Sequence, residues 1–275
     1  MSPHLIVSDL DNTLLNAEHT LDPLTIETFQ ALAARGHYLA LASGRHFHDI
    51  REFRRRLGVE AYILSANGAH LYAPNDALIA EQWVPGEQVR ELIRMPRDTD
   101  IRLNLYTVDD WLIDAPAPQL LALHAHTGFG YQVADLHAHD GEGVGKVLFI
   151  GDPEKIAALE AGIHTGMSSS LHVTYSMANS LEIMAEGVHK GGALKRLLRH
   201  LDLPPSSCLA FGDNLNDAEM LSIAGQGFVM ANAHPELSRR VPQATRIESN
   251  RQSGVARRLR LHFDLDQAAL GKLEE

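Results

Sequence analysis

Leu5-Ile6-Val7-Ser8-Asp9-Leu10-Asp11-Asn12-Thr13 is the stretch on which the reading of the fold turns. Leu5-Ile6-Val7 is a short apolar run, the pattern of a parallel strand buried on both faces. Downstream, Asp22-Pro23 reads as a helix N-cap followed by proline at the first helical position. Ile26, Phe29, Leu32 and Ala33 recur at helical spacing, Gly36 ends the helix, and residues 38–42 form the next strand. These pieces make a β-α-β unit, expected to be right-handed. A helix from about His48 to Leu57 and a strand at Tyr62-Ile63-Leu64 continue the alternation.

In an open α/β sheet, ligands bind outside the carboxyl ends of the strands. Asp9 and Asp11 stand directly after the first strand, where one carboxylate can act as nucleophile or metal ligand while the other moves a proton. Taken alone, the motif is equally a solvated turn. Ser43-Gly44-Arg45 follows the second strand and can bring a hydroxyl and backbone N–H groups to a phosphate; an ordinary N-cap is the plainer alternative. Lys190 opens a helix with Gly191-Gly192, a poor place for a cation unless an anion or open water faces it. Gly212-Asp213-Asn214-Leu215-Asn216-Asp217 follows another apolar strand. Its oxygen-only donors suit Mg²⁺, although Asn214 or Asn216 as N-cap, with Asp217 and Glu219 facing the helix dipole, explains the same string. The combination is the signal: acids, a hydroxyl, a lysine and more acids at successive strand ends of one sheet.

The middle of the chain has a different rhythm. Helices are expected at about Pro85 to Met95, Pro118 to His126 and Pro153 to Ile163. Strands are expected at Ile101 to Tyr106, Trp111 to Ile113, Tyr131 to Val133, Lys146 to Ile150, Leu171 to Tyr175 and Leu181 to Met184. Adjacent strands between helices indicate an α+β insertion with antiparallel pairing. From Gly187 the simple alternation returns: a helix to Leu201, a strand Ser207 to Phe211, a helix Asn216 to Ala224, a strand Phe228-Val229-Met230, then helix, strand and helix to Phe263. The expected organisation is a core of residues 1–83 and 187–275 interrupted by an inserted domain of residues 84–186.

The 275 residues amount to about two domains at ~150 each. A hydrophobic fraction of 45% supplies ample core material, against disorder. The net charge of −11 argues against a nucleic-acid binder, which needs a basic face. A single cysteine, Cys208, excludes an internal disulfide and fits a reducing compartment. With no signal-peptide pattern and no apolar run near the ~20 residues of a membrane span, the expectation is a cytoplasmic protein with no membrane partner. Nothing in the sequence signals an oligomeric state. The runs Arg54-Arg55-Arg56 and Arg257-Arg258 read as helix surface. His124/His126 and His137/His139 lack cysteines at zinc-ligand spacing, and Gly141/Gly143/Gly145 lack dinucleotide spacing.

Asp9-x-Asp11-x-Thr13, Ser43, Lys190 and Gly212-Asp213-x-x-Asn216-Asp217 resemble the four motifs of the haloacid-dehalogenase (HAD) superfamily. The insertion between Ser43 and Lys190 resembles the large α+β cap of Cof-type phosphatases, as do the strings Ser65-Ala66-Asn67-Gly68-Ala69, Gly187-Val188-His189-Lys190-Gly191 and Ala224-Gly225. The resemblance covers essentially the whole chain and is closest to bacterial members acting on pyridoxal phosphate and sugar phosphates. One departure is Asn12, where many members have glycine; asparagine tolerates left-handed backbone, so the turn is expected to survive.

The resemblance implies a Rossmann-like parallel-sheet core with an inserted cap, and a Mg²⁺-dependent phosphomonoester hydrolase whose partner is a small-molecule phosphate ester. It implies that Asp9 forms an aspartyl-phosphate and that Asp11 is the acid and then the base. Thr13, Ser43, Gly44, Lys190 and Asn216 are implied as phosphate-binding positions. Asp9, Asp11 (through its backbone carbonyl), Asp213 and Asp217 are the implied metal group, with Asp217 in a supporting or water-mediated position. The cap is expected to act as a lid hinged near Val84-Pro85 and Glu186-Gly187, with Asn104, Tyr106, His124 and Met177 as candidate substrate readers. A phosphomutase, an aspartate-phosphorylated receiver-like switch and a metal-dependent glycosyltransferase are the alternatives. The large insertion weighs against the mutase, Asp11 and the insertion against the switch, and the late Asp213/Asp217 motif against the transferase.

Overall fold

Every residue of the first strand, β1 (Leu5–Ser8), is buried in the computed structural model, which describes residues 3–167 and 171–266. Residues 1–2 and 267–275 of the expected core and 168–170 of the expected insert lie outside the described residues. The chain continues through α1 (Pro23–Ala34), β2 (Tyr38–Ala42), α2 (Phe47–Leu57), β3 (Tyr62–Ser65), β4 (His70–Tyr72) and β5 (Leu78–Glu81). The insert then supplies α3 (Gly86–Arg94), β6 (Arg102–Tyr106), β7 (Trp111–Ile113), β8 (Gln132–Val133), β9 (Lys146–Ile150), α4 (Pro153–Gly166), β10 (Leu171–Met177) and β11 (Ser180–Ala185). The last third holds α5 (Lys190–His200), β12 (Cys208–Gly212), α6 (Ala218–Ile223), β13 (Gln226–Met230), α7 (Pro235–Arg240), β14 (Thr245–Ile247) and α8 (Gly254–His262).

The first and last thirds share one sheet, in the order β14-β13-β12-β1-β2-β3-β4-β5. Its strands are parallel from β14 to β3, and β4 and β5 add an antiparallel edge. Side-chain alternation explains why the strands are apolar throughout. Ile6, Leu39 and Leu41 pack on one face against Phe29, Phe53 and Leu259 of α1, α2 and α8. Leu5, Val7, Ala40 and Ala42 pack on the other face against Leu194, Leu197 and Met220 of α5 and α6.

The second sheet runs β10-β11-β9-β6-β7-β8 and is antiparallel except for β7 with β8. Leu103, Leu105, Val147, Phe149, Leu181 and Ile183 face α3 and α4 and close a core of their own. The alternate positions, Tyr106, Lys146, Leu148, Ile150, Ser180 and Glu182, line a cavity shared with the first sheet's strand ends.

Several local expectations change. The β4–β5 hairpin was not expected; its strands are short and carry His70 and Glu81 among their apolar residues. The helix expected at Pro118 to His126 is a 3₁₀ segment, Pro118–His124. Asp22 does not cap α1 with its side chain; its carboxylate instead accepts from Asn16 Nδ2 at 2.7 Å and Ser253 Oγ at 2.7 Å. Arg54 is not a surface cover but is buried, donating to Ala61 O, Ala73 O and Asp76. No helix among the described residues is long and apolar enough to cross a membrane.

Candidate active site

The turn after β1 creates the site. Asp9 continues the extended backbone and donates its N–H to Phe211 O of β12 at 3.0 Å. The chain then turns sharply through Asn12, at φ +57°, and closes with Leu15 N–H on Leu10 O at 2.9 Å. A left-handed residue is needed there, and asparagine takes that region more readily than most. Asp9 is left buried at the strand's carboxyl end, 6% exposed.

Lys190, the first residue of α5, is fully buried and reaches the same point. Its ammonium donates to Asp9 Oδ1 at 2.6 Å and to Asp217 Oδ1 at 2.7 Å. The two carboxylates are the anions that offset its place at a helix N-terminus. Burial disfavours the lysine's charge, but Asp217 and Asp9 outweigh it and raise its pKa. Asp217 in turn accepts the backbone N–H of Asp213 at 2.9 Å and of Asn214 at 3.0 Å through Oδ2, which fixes the loop after β12. Asn214, not Asn216, is the N-cap of that turn. A Cβ at position 212 would lie 2.6 Å from Asp217, so only glycine lets this carboxylate fold back under the strand end.

Burial pushes the Asp9 carboxyl up to about 7; Lys190 opposes the shift, while Asp217 and Asp11 add to it. Burial likewise raises Asp213 well above the usual carboxylate range, with Asp9 and Asp217 contributing. Asp9, Asp213 and Asp217 bring carboxylate oxygens within 4.8 Å of one another. An oxygen donor set strained by its own like charges fits a hard divalent cation. Of the three, Asp217 already has both oxygens engaged. Thr13, expected to contact phosphate, is buried outside the cavity lining and donates to Asp213 Oδ1 at 2.9 Å.

The Asp11 carboxylate is not one of this cluster, though it lines the same cavity. It takes a two-pronged contact from Arg45, Nε to Oδ2 at 2.7 Å and an Nη to Oδ1 at 2.6 Å. Burial opposes ionisation, but the guanidinium overrides it and holds the carboxyl well below its usual range. Arg45 also donates to Asp49 Oδ2 at 2.6 Å and to Leu123 O of the insert at 2.9 Å. Asp49 is fully buried and pairs with His124 Nδ1 at 2.8 Å and with the Thr127 hydroxyl, both on the insert. Asp11 is thus connected through Arg45 and Asp49 to the second sheet's loops.

Ser43 and Gly44 line the cavity, and Ser43 Oγ accepts the Arg45 N–H at 3.2 Å. Asn216 lines it as well and donates to Asn67 Oδ1 at 3.1 Å. Across from them, Lys146 donates to Gly44 O at 2.6 Å and to Glu182 Oε1 at 2.8 Å, and Asn67 Nδ2 donates to Glu182 Oε2. Of the four candidate readers, Tyr106, His124 and Met177 line the cavity. Asn104 does not: its amide is spent on Trp111 Nε1 at 2.8 Å and Leu148 O at 3.2 Å. Arg45, Asp49, Asn67, Lys146 and Glu182 were given no role from sequence. Single charges at Lys146 and Glu182, inside otherwise apolar strands, are the signal that marks the last two.

The sequence profile of the haloacid dehalogenase-like hydrolase family matches residues 6–259. A Haemophilus influenzae protein is 38% identical over 264 residues, covering 95% of this chain and 97% of its own. A Cronobacter sakazakii protein named HMP-PP phosphatase is 34% identical over 248 residues, covering 90% and 91%. Among solved structures, a haloacid dehalogenase-like hydrolase from Bacteroides thetaiotaomicron superposes with a TM-score of 0.81 at 25% identity, covering 94% of this chain and 98% of that one. The chain belongs to the haloacid dehalogenase-like hydrolase family.

Proposed function

We propose that this chain is a Mg²⁺-dependent phosphatase of small phosphorylated metabolites, with residues 84–186 acting as a lid over the core. The observation that carries this reading is the convergence of Asp9, Lys190 and Asp213 at adjoining strand ends, with Asp11 two residues beyond the nucleophile. Asp9 attacks phosphorus as the ester P–O bond breaks, and Asp11 protonates the departing oxygen. Water then attacks the aspartyl-phosphate, Asp11 takes its proton, and inorganic phosphate leaves with Asp9 restored. Asp9 and Asp213 would hold Mg²⁺, which supplies charge neutralisation at the phosphoryl group. Lys190 balances Asp9, Ser43 and Gly44 offer a hydroxyl and N–H to phosphoryl oxygens, and Thr13 and Asp217 orient the carboxylates.

With Arg45 in contact, Asp11 is in its basic form, suited to the second step. Its service as acid in the first step requires that contact to loosen. Pyridoxal phosphate, hexose phosphates and HMP-PP are the first substrates to try, with a chromogenic aryl phosphate. Phosphate release is measured with Mg²⁺ and with chelator, for wild type and Asp9→Asn. Mg²⁺-dependent release that disappears in Asp9→Asn is expected; an active Asp9→Asn variant would remove Asp9 as nucleophile.

A further inference from the structure

Residues 123–127 of the insert form a turn that is seated on the core beside Asp11. Arg56 donates to His126 O, and His126 Nε2 meets Glu18 O at 3.1 Å. Arg45 Nη1 donates to Leu123 O at 2.9 Å. His124 Nδ1 and the Thr127 hydroxyl both donate to Asp49, in the first turn of α2.

Asp49 is fully buried, and a buried carboxylate is stable only when donors meet its oxygens. Among the described residues three side chains donate to it: Arg45 from the core, and His124 and Thr127 from the insert. The Arg45 guanidinium is divided in a matching way. Its Nε and Nη2 edge grips Asp11, while Nη1 is held between Asp49 Oδ2 and Leu123 O. A planar fork engaged on both sides has a fixed aim. If the turn lifts, Nη1 loses the carbonyl and Asp49 loses two of its donors. Asp11 and Asp49 then compete for one guanidinium, and Arg45 no longer fixes the Asp11 oxygens. The seated turn is what reserves the Nε edge for Asp11.

Resting on the phosphatase reading above, we propose that the 123–127 turn couples seating of the insert to the second chemical step, with Asp49 and Thr127 as positioning residues that act on Asp11 through Arg45. In that step the water oxygen bonds to phosphorus, and the bond from Asp9 to phosphorus breaks with its electrons returning to the Asp9 carboxylate. The water proton passes to Asp11. Aim decides the rate of this step: a misplacement of about 1 Å costs on the order of a hundredfold. The first step on an ester with a good leaving group needs no acid and escapes the effect.

Thr127 is the residue to change, because it lies outside the cavity lining whereas His124 is within it. The probe is 4-nitrophenyl phosphate with Mg²⁺, whose leaving group departs without protonation. Thr127→Val is expected to lower kcat about tenfold, with KM falling in step so that kcat/KM stays within about threefold. Rapid mixing should then show a burst of nitrophenol stoichiometric with enzyme, from aspartyl-phosphate that forms at the wild-type rate and is hydrolysed slowly. Thr127→Ser, which keeps the hydroxyl, is expected to restore the wild-type kcat. In an Arg45→Met background Thr127→Val is expected to add no further loss, because its route to Asp11 is already cut. An unchanged kcat, a parallel fall of kcat and kcat/KM, no recovery in Thr127→Ser, or a full additional loss in the Arg45→Met background each overturns the proposal. If Arg45→Met does not fold, the kcat-against-KM split and its rescue decide alone. In all these cases Mg²⁺-dependent release persists and the phosphatase reading stands. Wild-type release no faster than that of Asp9→Asn overturns both.

Discussion

Lys190→Met tests the electrostatic logic of the site most directly. The ammonium is fully buried, with Asp9 at 2.6 Å and Asp217 at 2.7 Å, and Asp213 completes the cluster of carboxylates. Methionine keeps the volume and removes the charge. Removing one partner of a buried ion pair costs about 3–5 kcal/mol, a large part of a domain's ~5–15 kcal/mol. Acids left without a cation escape this by binding protons, so the cost must depend on pH. In the wild type the folded-state pKa of Asp9 is raised to about 7, against an ordinary 3.8. A carboxyl raised in the folded state contributes stability below its unfolded pKa and loses it as pH rises through the folded one. About a unit above pH 7 the wild-type Asp9 is almost fully ionised and this loss is nearly complete. Without Lys190 its pKa rises further, and the variant continues to lose about 1.4 kcal/mol per pH unit. From pH 7 to 8.5 the gap between variant and wild type should therefore widen by about 2 kcal/mol. Urea unfolding with chelator present, so that no divalent cation replaces the ammonium, measures it. Adding Asp9→Asn to Lys190→Met should recover part of the loss. A variant as stable as wild type at pH 8.5, or a gap indifferent to pH, would refute the account of Lys190 as the counter-charge.

Asp213→Ala should weaken Mg²⁺ activation by about tenfold or more, read from the metal dependence of phosphate release; unchanged dependence would exclude Asp213 as a ligand. Arg45→Met removes both contacts to Asp11 and those to Asp49 and Leu123, and should lower kcat by about a hundredfold. Because Arg45 holds the Asp11 carboxyl down, the acid limb of the pH–rate profile should also move upward; an unmoved limb would dissociate Arg45 from the proton transfer. His70 is 2% exposed, and burial depresses its pKa to about 4. Its folded pKa lies below the unfolded ~6.5, so wild-type stability is intact above 6.5 and declines as pH falls toward 4. His70→Phe should flatten the pH dependence of the urea midpoint by about 1.4 kcal/mol per unit across that window; identical slopes would show that His70 is not held neutral.

The core was readable because its chemistry follows its strands. Each of β1, β2 and β12 is an apolar run, and Asp9, Ser43 and Asp213 stand directly beyond. Neighbouring parallel strands point the same way, so residues that follow separate strands converge whatever their separation in sequence. Asn12 was readable too, since its φ of +57° is what asparagine tolerates. Arg45 was harder to place. Ser43-Gly44-Arg45 draws attention to the hydroxyl and the glycine, and only tertiary structure reveals that the guanidinium turns back to Asp11 and on to Asp49. Asn104 failed for the opposite reason: a polar residue in a strand suggests a ligand contact, but Trp111 Nε1 needed an acceptor of its own.

The inserted sheet hides its cavity-facing side because polar and apolar residues serve the same side of it. Parity in the sequence separates Val147 and Phe149, which enter a helix-covered core, from Lys146, Leu148 and Ile150, which do not. Leu181 and Ile183 separate from Ser180 and Glu182 in the same way. Hydrophobicity alone cannot distinguish a core wall from a cavity wall built of Leu148 and Ile150. Charge can: an ammonium and a carboxylate do not enter a sheet's interior without partners, so Lys146 and Glu182 require one another or a ligand. The register places Glu182 opposite Leu148, two positions along β9 from Lys146 on the same face, within reach of the pair they form. The cavity-facing side of such an insert is therefore the face on which its isolated charges fall. Here that face meets Gly44 and Asn67 of the core rather than bulk water.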